Sequence, residues 1–125
     1  MIATLQCTVI DCPDPAALAR FYGEILGWPT RQRHPGWADL KAPDGSATIS
    51  FQLAPDLKPP RWPDPQFPQQ FHLDFDVEDV EAAHEQVVAL GARFLHDAKD
   101  AVGGFRVFAD PAGHPFCLCY GQDQD

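Results

Sequence analysis

One helix pattern occurs twice in this chain at nearly constant spacing, and that repeat limits the fold to architectures built from two similar units. Asp14 precedes Pro15, an arrangement that starts a helix. The carboxylate accepts from an open N–H of the first turn, and proline suits the first helical position. Leu18, Phe21, Tyr22 and Ile25 then follow the i, i+3, i+4, i+7 spacing of an amphipathic helix, and Leu26-Gly27 closes it. Asp79 opens a second helix whose inward stripe is Val80, Ala83, His84, Val87 and Leu90, closed by Leu90-Gly91. The two caps stand 65 residues apart and the two closing pairs 64.

The flanking segments repeat as well. An apolar run from Leu5 to Ile10 precedes the first helix, and a strictly alternating strand from Phe71 to Val77 precedes the second. After the first helix come Trp37 to Leu40, the turn Pro43-Asp44-Gly45 and a strand from Thr48 to Leu53. After the second come Ala92 to Leu95, Phe105 to Phe108, the turn Asp110-Pro111-Ala112-Gly113 and a strand from Phe116 to Tyr120. Each half therefore reads strand, helix, three strands. The halves span about 1–54 and 70–121, and residues 55–69 hold six prolines, the composition of a stiff linker. The expected fold class is α+β. Two βαβββ repeats form a curved mixed sheet around a cleft, with the helices outside, as one domain over residues 1–125. The halves pair within one chain or by exchange between two, and a homodimer is expected.

Charge narrows the partners. Eighteen acidic residues against nine basic ones give a net charge of −9, which repels nucleic-acid backbones and anionic lipid surfaces. Only Arg31 and Arg33 cluster. No charged-then-apolar leader stands at the N-terminus and no apolar run approaches the ~20 residues of a membrane span, so a cytoplasmic location is expected. Without an export signal, Cys7, Cys12, Cys117 and Cys119 are expected as reduced thiols packed like small apolar residues.

Strand parity selects candidate site residues. His72 and Asp74 share one side of their strand, while Phe71, Leu73, Phe75 and Val77 take the side toward the helix. Cys117 and Cys119 share a face by the same rule, as inert thiols unless a nearby base such as His72 activates them. Trp37 and Trp62 are candidates for gripping a flat or apolar ligand. Phe51 has helix-side parity and is expected in the core, with Phe108 open to either role. His34, His84, His96 and His114 are expected as structural or surface residues.

The stretch Asp14-Pro15-Ala16-Ala17-Leu18-Ala19-Arg20-Phe21-Tyr22 through Leu26-Gly27-Trp28, with His72-Leu73-Asp74 and Asp110-Pro111-Ala112-Gly113-His114-Pro115-Phe116-Cys117-Leu118-Cys119, resembles the vicinal oxygen chelate superfamily. That superfamily includes glyoxalase I, bleomycin-resistance proteins and extradiol dioxygenases, and the resemblance is to its small glyoxalase-like domains. It implies metal-ligand positions at Cys7, Ser50 (Gln52 in the alternative register), His72 and Cys117. One histidine is kept and both carboxylates are replaced. Oxygen-preferring metals want carboxylates, so no cofactor is expected, and zinc on two thiolates and an imidazole is the one disfavoured exception. The resemblance implies a metal-independent protein that binds a small molecule through His72, Asp74, Gln52, Trp37, Trp62 and Cys117. The alternatives are a metal-dependent lyase, isomerase or dioxygenase of the same scaffold, or a non-catalytic dimeric interaction module.

Overall fold

The structure, a computed structural model, describes residues 1–99 and 103–121. It divides into two units, Met1–Lys58 and Pro59–Asp125. The first contains β1 (Thr8–Cys12), α1 (Pro15–Leu26), β2 (Thr30–His34), β3 (Trp37–Lys41) and β4 (Thr48–Leu53). The second contains β5 (Leu73–Asp76), α2 (Val80–Ala89), β6 (Arg93–Lys99), β7 (Gly104–Ala109) and β8 (Pro115–Tyr120). The repeated strand-helix-three-strand order is thus observed in both.

In the first unit the strand order is β1-β4-β3-β2, with β1 and β4 parallel and the other pairs antiparallel. A parallel pair needs a crossover, and α1 with the β2–β3 hairpin supplies it. Asp14 accepts from the Ala17 N–H at 3.1 Å, Pro15 opens the helix, and Gly27 closes it in the left-handed region at φ 69°. The helix lays Leu18, Phe21 and Tyr22 on the sheet, where Tyr22 stacks on Phe51 with centroids 5.9 Å apart. A Cβ on Gly23 would lie 2.9 Å from Thr30 Cγ2, so glycine sets how closely α1 approaches β2. Phe51, Ile10 and Leu40 are completely buried on this side, as the parity of Phe51 predicts.

The second unit repeats the topology as β5-β8-β7-β6, with β5 and β8 parallel. Asp79 caps α2 by accepting from Ala82 N–H at 3.1 Å. Under this helix lie Phe108 and Phe116, both fully buried, and His84 of the helix and the exposed Phe94 set their rings against Phe108. Arg106 occupies the same layer. It forms an ion pair with Glu81, its Nη1 lies 2.9 Å from His84 Nδ1, and its Nε lies 3.4 Å from Asp97. The Glu81 partner raises the Arg106 guanidinium pKa, and Arg106 holds the Glu81 carboxyl below its usual value. Tyr120 donates to Asp97 at 2.9 Å, and that bond raises its phenol pKa. Replacing either helix cap, as in Asp14→Ala or Asp79→Ala, is expected to cost about 1 kcal/mol in urea unfolding, with the m-value unchanged.

The expected single curved mixed sheet around a cleft does not form. There are two separate four-stranded sheets, because every strand finds its hydrogen-bonding neighbours inside its own repeat. Two smaller differences concern the first repeat. Its opening strand begins at Thr8 and not at Leu5, and Met1, Ile2 and Leu5 are exposed. Strand β2, Thr-Arg-Gln-Arg-His, is exposed along its whole length, so it carries no apolar alternation to announce it. Among the described residues, no helix is long and apolar enough to cross a membrane.

Candidate functional site

Each sheet has one face against its helix and one face turned away from it, and the polar candidates lie on the second kind. In the second unit the register fixes this. Arg106 points to α2, so Val107 and its cross-strand partner Cys117 point away from it. Asp74 sits opposite Cys117 on the parallel strand β5, and His72 lies two residues earlier on the same side. The three side chains meet. His72 Nε2 is 3.2 Å from Asp74 Oδ1, and one ligand atom from each of His72, Asp74 and Cys117 falls within 4.8 Å of the others.

The electrostatics of this cluster are dominated by the thiol. Burial, followed by the negative charge of Asp74, pushes the Cys117 pKa up to about 12. Cys117 is therefore a protonated donor beside a carboxylate at neutral pH, the opposite of an activated nucleophile. Among the described residues the four cysteines form no disulfide. Val107, Cys117 and Cys119 form a small buried apolar cluster, and Trp62, Leu95 and Phe105 pack against it. The Trp62 ring also lies 5.7 Å from the His96 ring. The arrangement offers an acceptor, an imidazole and a neutral thiol on an apolar floor with an indole alongside. It can bind a polar group or shuttle a proton between His72 and Asp74.

The first unit presents a different constellation on the face opposite α1. Phe51 contacts α1, so its neighbour Ser50 points away from it, and Asp39 is the cross-strand partner of Ser50. Asp39 is a buried carboxylate. Its Oδ1 accepts from Ser50 Oγ at 2.7 Å and from Trp37 Nε1 at 2.8 Å, and Arg33 Nε lies 3.4 Å from its Oδ2. Arg33 falls in the irregular register between Gln32 and His34, which lets it reach Asp39 across the hairpin. A cavity of about 260 Å³ opens here, lined by Cys7, Arg33, Trp37, Asp39, Lys41 and Ser50 among others. Gln52 pairs in register with Trp37 and is exposed.

The sequence-derived candidates thus fall into two groups. His72, Asp74, Cys117 and Trp62 are together in the second unit, and Trp37 and Gln52 are cross-strand neighbours in the first. Asp39, Arg33 and Lys41 were not among them. The available signal was parity, since Trp37, Asp39 and Lys41 alternate with the buried Ala38, Leu40 and Ala42.

The four metal-ligand positions implied by the resemblance do not fit a divalent ion. Both last-strand positions lack a carboxylate, the Ser50 hydroxyl is donated to Asp39, and the Cys117 thiol is held protonated. Among the described residues, His72, Asp74 and Cys117 could hold a metal, a mixed N, O, S set suited to zinc once the thiol is deprotonated.

Comparison with known proteins places this geometry. No curated protein matches the chain. Among solved structures, a glyoxalase/bleomycin resistance protein/dioxygenase family enzyme from Burkholderia phytofirmans PsJN is similar at TM-score 0.72 and 21% identity, covering 94% of this chain and 98% of that one. A glyoxalase family protein from Enterococcus faecalis is similar at TM-score 0.68 and 24% identity, covering 94% and 98%. A glyoxylase/bleomycin resistance protein/dioxygenase domain from Frankia sp. EAN1pec is similar at TM-score 0.67 and 21% identity, covering 98% and 100%. At these identities the likeness concerns the fold. The family model described as a glyoxalase-like domain matches residues 7–119, which takes in both repeats. The chain belongs to the glyoxalase-like domain family of the vicinal oxygen chelate superfamily.

Proposed function

We propose that the protein binds a small organic molecule without a metal, through the sheet faces turned away from the helices. On the face opposite α2, His72, Asp74 and Cys117 supply polar contacts and Trp62 an apolar one. On the face opposite α1, Trp37 and Gln52 play the corresponding parts. The observation that carries this reading is the His72–Asp74–Cys117 cluster, whose thiol burial keeps neutral on an apolar floor. Convergent hydrogen-bonding groups beside apolar surface are the usual make-up of a small-molecule site.

The test is a thermal-shift screen of small organic molecules on protein dialysed against EDTA. A ligand at 100 times its Kd stabilises the native state by about 2.7 kcal/mol. The expected result is a shift that survives the chelator and, for a ligand held in the second unit, is lost in His72→Ala. Shifts that appear only after metal is restored would sink the metal-free reading.

A second reading, a metal-dependent lyase, isomerase or dioxygenase, draws on the proximity of the same three donor atoms. Metal analysis of protein purified without chelators separates the two. About one tightly held ion per chain, lost in His72→Ala, puts the second reading ahead.

A further inference from the structure

We propose that the cavity of the first unit selects anionic ligands, specifically a carboxylate carried on a compact, flat apolar body. This rests on the small-molecule reading above and adds the ligand class. Three observations converge on it.

The first is how Asp39 is used. Both carboxylate oxygens are engaged within the protein, Oδ1 by Ser50 and Trp37 and Oδ2 by Arg33. Its charge is spent on holding these groups, and at 5% exposure it offers little to a ligand. Arg33 touches Asp39 through Nε at 3.4 Å, while its side chain remains 55% exposed. The outer guanidinium nitrogens are thereby presented as a planar fork, the geometry that binds a carboxylate through two parallel hydrogen bonds. Lys41 lines the same cavity. Arg33 and Lys41 against Asp39 leave one positive charge at the lining.

The second is how charge is distributed along the chain. Residues 1–58 hold six acidic and five basic side chains, a net of −1, whereas residues 59–125 hold twelve and four, a net of −8. Arg31, the cross-strand partner of Asp39, adds a third cation to the face that carries Arg33 and Lys41. A chain of net charge −9 thus sets three of its nine cations on one sheet face. Long-range repulsion from the acidic remainder is screened beyond about 8 Å at physiological salt, so contacts at the cavity decide.

The third is shape. Trp37 is half-buried in the lining, its N–H tied to Asp39, which fixes the indole as an apolar wall. A volume of about 260 Å³ lies just under the roughly 300–1,000 Å³ of drug-sized sites, so a compact ligand fits. Ring on Trp37 and carboxylate on Arg33 and Lys41 together describe a small aryl or alkenyl acid.

The experiment is isothermal titration of the full chain with matched probes of one shape: phenylacetate, neutral phenylacetamide and cationic phenethylamine. Indole-3-acetate and its amide form a second set. The expected result is that the acids bind about ten-fold or more tighter than their amides, as charge-assisted hydrogen bonds to a fork require. Arg33→Gln should erase most of that preference, and Lys41→Gln part of it. Both side chains are exposed, so the variants fold. Asp39→Asn keeps the shape and removes the one negative charge of the lining, so it should raise the acid-to-amide ratio, a readout that lost packing alone would not move. If amides or amines bind as well as acids, or if Arg33→Gln leaves the ratio unchanged, the ligand class is wrong while small-molecule binding stands. If no probe of any charge binds, and a wider thermal-shift screen also finds nothing, the binding reading itself fails and takes this proposal with it.

Discussion

Phe108→Ala is expected to remove about 3–5 kcal/mol of unfolding free energy, the range for truncating a fully buried phenylalanine. The ring is 0% exposed and has three aromatic neighbours. It stacks on Phe116 at 5.4 Å, meets Phe94 at 5.5 Å and takes the His84 ring edge-on at 4.9 Å. Removing it opens a void at the centre of the layer between α2 and its sheet. That layer has little reserve, since Val87 is the one fully buried residue of α2. The loss is a large fraction of the stability of an ordinary domain. Urea titration measures it, with Phe108→Leu as a milder companion expected to cost far less. A loss under about 1 kcal/mol for the alanine variant would mean that Phe108 is not packed as described.

The second large effect is alkaline. The Cys117 thiol is raised in the folded state from the ordinary 9.0 to about 12. Folding therefore favours its protonated form. That contribution is complete below the thiol pKa of the unfolded chain and is lost as pH rises toward the folded value. Across that window the stability attributable to Cys117 falls by up to about 1.4 kcal/mol per pH unit. Tyrosines and lysines titrate in the same range, so the informative quantity is the difference between wild type and Cys117→Ser, which keeps a donor beside Asp74. Between about pH 8 and about pH 11, wild type should lose stability faster than the serine variant. Parallel curves would place the thiol in water, or its proton elsewhere.

The repeat and both helices were legible because their signals are local. Asp14 and Asp79 cap as their positions indicate, and Gly27 ends α1 in the left-handed conformation that glycine favours. Parity placed Phe51 under α1 and set His72 and Asp74 on one side. What was missed depends on register, which one strand does not contain. Strand β2 is wholly exposed and has no periodic trace. Asp39 becomes a buried, fully engaged carboxylate only once Ser50 stands across from it and the irregularity after Gln32 brings Arg33 within reach. His84 belongs to the apolar stripe of α2, yet its polarity is used as well, with Nδ1 beside Arg106. Trp62, set among prolines, packs against the cluster of Val107, Cys117 and Cys119, a long-range contact that no neighbouring residue announces. The single curved sheet was an error of assembly. Strand count and order were readable, but how strands group into sheets is decided by hydrogen bonds between distant segments.

The parallel strand pairs have a consequence for how such a chain changes over time. Val9 lies beside Ser50 in one sheet and Asp74 beside Cys117 in the other, always a residue from the opening strand against one from the closing strand. These four side chains face away from the helix-packed layers, so exchanging them leaves the core under each helix in place, although Ser50 and Cys117 are themselves buried. Each sheet thus carries two adjacent sockets with interchangeable fittings. One copy currently holds an alcohol next to an aliphatic group, the other a thiol next to an acid. Because each pair sits in its own sheet, a substitution at one leaves the register and neighbours of the other unchanged.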